Sequence, residues 1–204
     1  MYVIGLTGGI GSGKSTVAEV LREQGAAILS ADLVGHEVYQ PGRPAWQEIV
    51  DAFGREVLAA DGSIDRKKLG AVVFSDPKEL KRLNNITHPR MKGMMREKLA
   101  ELQRQGAAVA VLEAALLFDA GWDDLADEVW VTVAPPQVVA RRTAERSGIS
   151  EQQVLERIKA QMSDEERTRR ANVVIDTDGD LDGTRRQALA HWAALQRRLA
   201  LPSA

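Results

Sequence analysis

The stretch Gly8-Gly9-Ile10-Gly11-Ser12-Gly13-Lys14-Ser15 constrains this chain more than any other part of it. It reads as a glycine, four residues, then Gly-Lys-Ser, the pattern of a loop that wraps a phosphate between a strand and a helix. Its glycines permit close backbone approach and positive φ angles, so successive N–H groups converge on one anion. Lys14 adds a compact charge for the outer phosphates of a nucleotide, and a hydroxyl such as that of Ser15 is the usual protein ligand of the Mg²⁺ that bridges them. The flanks agree with the motif. Val3, Ile4 and Leu6 predict a strand before it, and Thr16 opens a helix in which Val17, Val20 and Leu21 share a face. The dipole at that helix start favours the same anion. The candidate nucleotide-binding set is therefore Gly11, Ser12, Gly13, Lys14, Ser15 and Thr16, with Ser15 as the candidate metal ligand.

Composition limits what surrounds this loop. A chain of 204 residues with 44% hydrophobic side chains buries one good core and is too short for two full α/β domains. A formal charge of -2, from 27 basic and 29 acidic side chains, argues against a dedicated nucleic-acid surface. With no cysteine, disulfides and thiolate metal sites are excluded, and a reducing cytoplasm is the expected location. No signal-peptide pattern and no membrane-length apolar run is present, so no membrane partner is expected. Nothing points to an obligate protein partner.

Gly25 ends the first helix and Ala26 to Leu29 predict a second strand, which makes residues 3 to 29 a βαβ unit with parallel strands. Ligands bind at the carboxyl edge of such sheets. Asp32 is the first carboxylate past the second strand: either a base for an acceptor hydroxyl, a group near the metal, or the cap of the next helix. From Leu33 to Gln105 short helical patterns follow one another without a strand, so 33–105 reads as a helical acceptor-binding insertion. Within it, Thr87-His88-Pro89 carries ordinary helix-start signals, with Thr87 as cap and Pro89 in the first turn. His88 is then either a surface residue at that start or a contact for an anionic substrate group. Val109 to Leu112 predict a strand ending in Glu113, which either reaches the metal through water or bonds the phosphate loop. Leu116, Leu117 and Phe118 follow as core or pocket wall. Val129 to Val133 predict another strand, and the helix after it carries Arg141, Arg142 and Arg146, with Arg157, Arg167, Arg169 and Arg170 further on. Ser147-Gly148 between helices makes residues 137–161 a candidate lid whose arginines, Arg142, Arg146 and Arg157, match phosphate oxygens. A fifth strand, Val173 to Ile175, and a last helix striped by Leu189, Trp192, Leu195 and Leu199 complete the pattern.

These stretches together resemble the dephospho-coenzyme A kinases nearly end to end. The resemblance is carried by Gly5 to Thr16, Ala31-Asp32 with His36, Pro41-Gly42, Ile86-Thr87-His88-Pro89, Leu116-Leu117-Phe118, Arg142 with Arg146, Arg157-Ile158 with Gln161, and Ala171 to Asp176. It implies a P-loop kinase fold: a five-stranded parallel sheet flanked by helices, with a helical substrate-binding insertion and a lid in a single domain, residues 1–204. It also implies transfer of the ATP γ-phosphate, with Mg²⁺, to the ribose 3′-hydroxyl of dephospho-coenzyme A. On that resemblance Asp32 is the base that orients the hydroxyl, Lys14 and Arg142 stabilise phosphoryl charge, Ser15 holds Mg²⁺, and His88 with Leu116 to Phe118 lines the acceptor site. The chain departs from the family's usual residues at Ser30, Glu113, Ala115, Asp119 and Val139.

Overall fold

The computed structural model describes residues 1–200. The chain divides into two units: residues 1–29 together with the chain from 102 onward, and residues 30–101. In chain order the elements are β1 (Tyr2–Gly8), α1 (Lys14–Glu23), β2 (Ala27–Ser30), α2 (Ala31–Glu37), α3 (Pro44–Phe53), α4 (Arg66–Val73) and α5 (Pro77–Arg104). They continue with β3 (Val109–Glu113), β4 (Glu128–Val133), α6 (Pro136–Ser147), α7 (Glu151–Lys159), α8 (Asp164–Arg170), β5 (Val173–Asp176) and α9 (Leu181–Ala200).

The strands form a five-stranded parallel sheet in the order β2-β3-β1-β4-β5. β1 is central and buried from Val3 onward, which is why it reads as a near-continuous apolar run rather than an alternating one. Parallel pairing sets Leu6 beside Glu113 and Gly8 beside Thr132, so the strands end together along one edge. The apolar faces of α1 and α9 close one side of the sheet: Val17 and Leu21, with Ala188, Trp192 and Leu195, pack on Ile4, Leu6, Trp130 and Ile175. Each such large side chain contributes about 1.5–3 kcal/mol on full burial. At the other end of β4, buried Glu128 accepts from Trp130 Nε1 at 2.7 Å and from Arg198 Nη2 at 2.8 Å, tying the end of α9 to the sheet.

Residues 30–101 are helical and have their own core of Ile49, Phe53, Val57, Ile64, Leu69 and Val73. Asp65 caps α4 by accepting from the N–H groups of Lys67 and Lys68, and Trp46 Nε1 donates to Gly62 O at 2.9 Å, fixing the turn between α3 and α4. The expected helix start at Thr87-His88-Pro89 is not one. α5 already begins at Pro77, where Asp76 Oδ1 accepts from Lys78 N–H, and Pro89 lies inside it. An interior proline removes a ladder donor and crowds the preceding turn. Here side chains supply donors to nearby carbonyls: Thr87 Oγ1 donates to Leu83 O at 3.0 Å and Arg90 Nη1 to Ile86 O at 2.7 Å. Thr87 is a back-bonding residue within the helix, not its cap.

Candidate active site

The phosphate loop leaves β1 at Gly8 and enters α1 through Gly13, whose φ of 83° is left-handed and whose position has no side-chain cap. Lys14 Nζ folds back and donates to Gly8 O at 3.0 Å and Gly9 O at 2.8 Å, which places its ammonium on the loop. Ser15 Oγ donates to Glu113 Oε1 at 3.0 Å, because the β1–β3 register brings the end of β3 level with the start of the loop.

Buried hydroxyls hold the loop from below. Ser12 and Thr132 share a hydrogen bond of 2.7 Å, and Thr177 Oγ1 donates to Ser12 O at 3.1 Å. At Gly11, with φ of 66°, any Cβ would run into Thr143 Oγ1 of α6, itself buried and without a hydrogen-bond partner among the described residues. On the far side of the crest, Gln161 Oε1 accepts the N–H of Ile10 at 3.0 Å. Gln161 lies between α7 and α8, so that segment is fastened to the loop.

Of the residues singled out from the sequence, the first unit brings together Gly11 to Thr16, Glu113 and the arginine helix. Arg142 donates to the carbonyls of Thr177 at 2.6 Å, Asp178 at 2.9 Å and Gly179 at 2.8 Å, rather than standing open. Arg146 and Arg157 are exposed. After β3, Leu117 and Phe118 are buried and Leu116 is 41% exposed, while Arg170 lies over the Phe118 ring at 4.1 Å. Asp32 and His88 belong to the other unit. Asp32 is exposed in the first turn of α2, whose cap position is Ser30, so it is not the helix cap. His88 is half-buried on α5, beside the interior proline. In that unit Glu37 accepts from Lys98 at 2.7 Å; this hydrogen bond, with the Lys98 and Arg43 charges, outweighs desolvation and holds the Glu37 carboxyl below its ordinary value.

The sequence names Arg167 only among the run of arginines and Gln161 only as part of the resemblance, with no contact for either, and it gives no sign of Asp164 or the threonine supports. Thr132, Thr143 and Thr177 look like any strand or helix threonine, and only strand register reveals them. Arg167 stands among surface-type charges in Asp164–Arg170, yet it is 3% exposed. With Gly9, Ile10, Ser12, Val139 and Gln161 it lines a cavity of 290 Å³ beside the loop.

Among the described residues no three His, Asp or Glu side chains cluster as a metal cage. The oxygens of Ser15 and Glu113 are the hard donors that suit Mg²⁺, which takes one or two protein ligands and leaves the rest to water and phosphate. No helix among the described residues is long and apolar enough to cross a membrane.

Residues 2–183 match the family model described as dephospho-CoA kinase. The chain is similar to the dephospho-CoA kinase of Moorella thermoacetica, 46% identical over 201 residues covering 98% of this chain and 95% of that one. It is also 45% identical to that of Geobacter sulfurreducens, over 95% of this chain and 98% of the relative. Among solved structures it resembles TT1252 from Thermus thermophilus, with a TM-score of 0.82 and 36% identity over 95% and 97% of the two chains. The dephospho-CoA kinase from Campylobacter jejuni follows at 0.72 and 26%, over 96% and 97%. The chain therefore belongs to the dephospho-CoA kinase family, and its activity is the ATP-dependent phosphorylation of dephospho-coenzyme A, the final step of coenzyme A synthesis.

Proposed function

We propose that the reaction runs through Lys14, Ser15, Arg142 and Asp32, on the ribose 3′-hydroxyl of dephospho-coenzyme A. The observation that carries this reading is the loop itself: Lys14 held on the Gly8 and Gly9 carbonyls, and Ser15 bonded to Glu113. N–H groups of Gly11 to Thr16 bind the ATP phosphates, and Lys14 exchanges its carbonyl partners for the outer phosphate oxygens. Ser15, with Glu113 directly or through water, would hold Mg²⁺, which would supply positive charge to offset that of the phosphates. The Asp32 carboxylate orients the 3′-hydroxyl and takes its proton. The bond from γ-phosphorus to the bridging oxygen breaks, that to the 3′-oxygen forms, and ADP leaves. Arg142 gives up the Thr177, Asp178 and Gly179 carbonyls to stabilise charge on the phosphoryl group, and residues 137–161, with Arg146 and Arg157, act as a lid that excludes water. Residues 33–105 serve as the acceptor-binding insertion and contribute His88 as an acceptor contact, and Leu116, Leu117 and Phe118, outside that insertion, serve as acceptor contacts too. A cytoplasmic location fits the cysteine-free sequence.

The test is ADP release from Mg-ATP with dephospho-coenzyme A, adenosine or gluconate as acceptor. Release with dephospho-coenzyme A alone is expected. Asp32→Asn should cut kcat by about 10²–10⁴-fold, the range for general-base catalysis, with ATP affinity nearly unchanged. An unaltered rate in that variant rules out Asp32 as the base.

A further inference from the structure

Arg142 spends its guanidinium on three backbone carbonyls, and Arg146 and Arg157 face solvent. Arg167 differs from all of them. Its side chain is 4% exposed, and its one hydrogen-bond acceptor among the described residues is Asp164 Oδ1, at 3.0 Å. A guanidinium carries five N–H donors in a fixed fork. No Arg167 nitrogen is a fully buried atom without a partner, yet a side chain buried to this degree leaves most of its fork unused by the protein, which calls for an explanation.

The position of Arg167 supplies one. It lines the cavity that touches Gly9, Ile10 and Ser12 of the phosphate loop. Its Nη1 lies 3.5 Å from the point where a Cβ on Gly9 would stand, which puts the guanidinium within van der Waals range of the loop. Lys14 Nζ donates to Gly9 O at 2.8 Å. Two cations therefore meet the loop at the same residue. The Gln161 bond to Ile10 N–H keeps the α7–α8 segment in register with the loop, and Asp164 orients the fork.

We propose that Arg167 is a further catalytic residue, donating to the equatorial oxygens of the phosphoryl group as it passes from ATP to the acceptor. A desolvated, already oriented guanidinium suits that task, since charge spread over those oxygens is what a kinase must stabilise. Its planar fork matches the phosphoryl geometry where a lysine would not. The inference rests on the reading that this loop holds the ATP phosphates for transfer to dephospho-coenzyme A.

The experiment compares wild type, Arg167→Met and Arg167→Lys by steady-state kinetics, thermal melting, and binding of ADP against ADP with aluminium fluoride, a mimic of the transferring phosphoryl group. The expected result for Arg167→Met is a kcat lowered about 100-fold or more with a melting temperature close to wild type, as for loss of a preorganised donor. ADP–aluminium fluoride affinity should fall by a similar factor and ADP affinity stay as it is. Arg167→Lys, which keeps the charge but not the fork, should recover part of both, and it carries the test if the methionine variant does not fold. A wild-type kcat in either variant overturns the proposal. So does an equal loss of ADP and ADP–aluminium fluoride affinity, which marks Arg167 as a structural ion pair. The wild-type rate with dephospho-coenzyme A tests the underlying reading separately, because the affinity ratio decides on Arg167 whatever the acceptor.

Discussion

Replacing Gln161 with methionine keeps the length of the side chain and deletes the acceptor for Ile10 N–H, a bond of 3.0 Å. Leaving a fully buried donor unpaired costs about 1–3 kcal/mol, or about 5- to 150-fold in the population of the intact loop crest at 1.4 kcal/mol per tenfold. Ile10 is half-buried, so water replaces part of the lost bond and the lower end applies. We expect the KM for ATP to rise about 5- to 10-fold, with kcat within about twofold because bound phosphates reorganise the crest. Hydrogen exchange supplies the second readout: the Ile10 amide should lose protection in Gln161→Met and keep it in Gln161→Glu, whose carboxylate accepts the same bond. The glutamate variant should bind ATP less well for another reason, repulsion of the triphosphate, which added salt should relieve. A methionine variant with wild-type KM and a protected Ile10 amide would refute the claim that Gln161 holds the loop.

Gly11→Ala should abolish ATP binding in a titration calorimeter, since the left-handed φ of 66° and the contact with Thr143 Oγ1 both oppose a methyl group. Thr143→Val removes a buried hydroxyl that lacks a partner, so the melting temperature should hold or rise by about 2–4 °C, the equivalent of roughly 1 kcal/mol in a protein of this size. Lys98→Met should lower stability by less than about 1 kcal/mol near neutral pH, because the Glu37 pair is partly exposed. Glu37 is held below its ordinary 4.5 when folded, so the pair's contribution is present above that value and lost as pH falls through the folded one. Chemical denaturation of both proteins across that range should therefore show the difference shrinking with acid.

The loop, the strand–loop–helix context and the parallel sheet were legible because each follows from local pattern: glycine spacing, an apolar run, a 3.6-residue stripe. Lys14 and Ser15 needed nothing further. Groups that act through register were not legible. Thr132 meets Ser12 only because β4 pairs with β1 in one alignment, and Gln161 meets Ile10 across 151 residues of chain. The burial of Arg167, named in the sequence only as one of several arginines, was hidden for the opposite reason, since seven residues reading Asp-Glu-Glu-Arg-Thr-Arg-Arg present a solvated face by composition while one of them is buried. The start of α5 was misread because Pro89 is a common first-turn residue, and no local signal shows that Thr87 and Arg90 support it inside a helix.

The strand order also has a consequence for synthesis. β2 neighbours β3 alone and β1 lies between β3 and β4, so neither amino-terminal strand has a sheet partner until residues 109 to 113 have left the ribosome. The helical segment 30–101, with its local core, is complete before then. Local contacts form early and long-range parallel pairing late. During translation the helical unit is thus the first part able to fold, while β1 and the phosphate loop wait, exposed, for a partner made roughly 100 residues later, at about 5–20 residues per second.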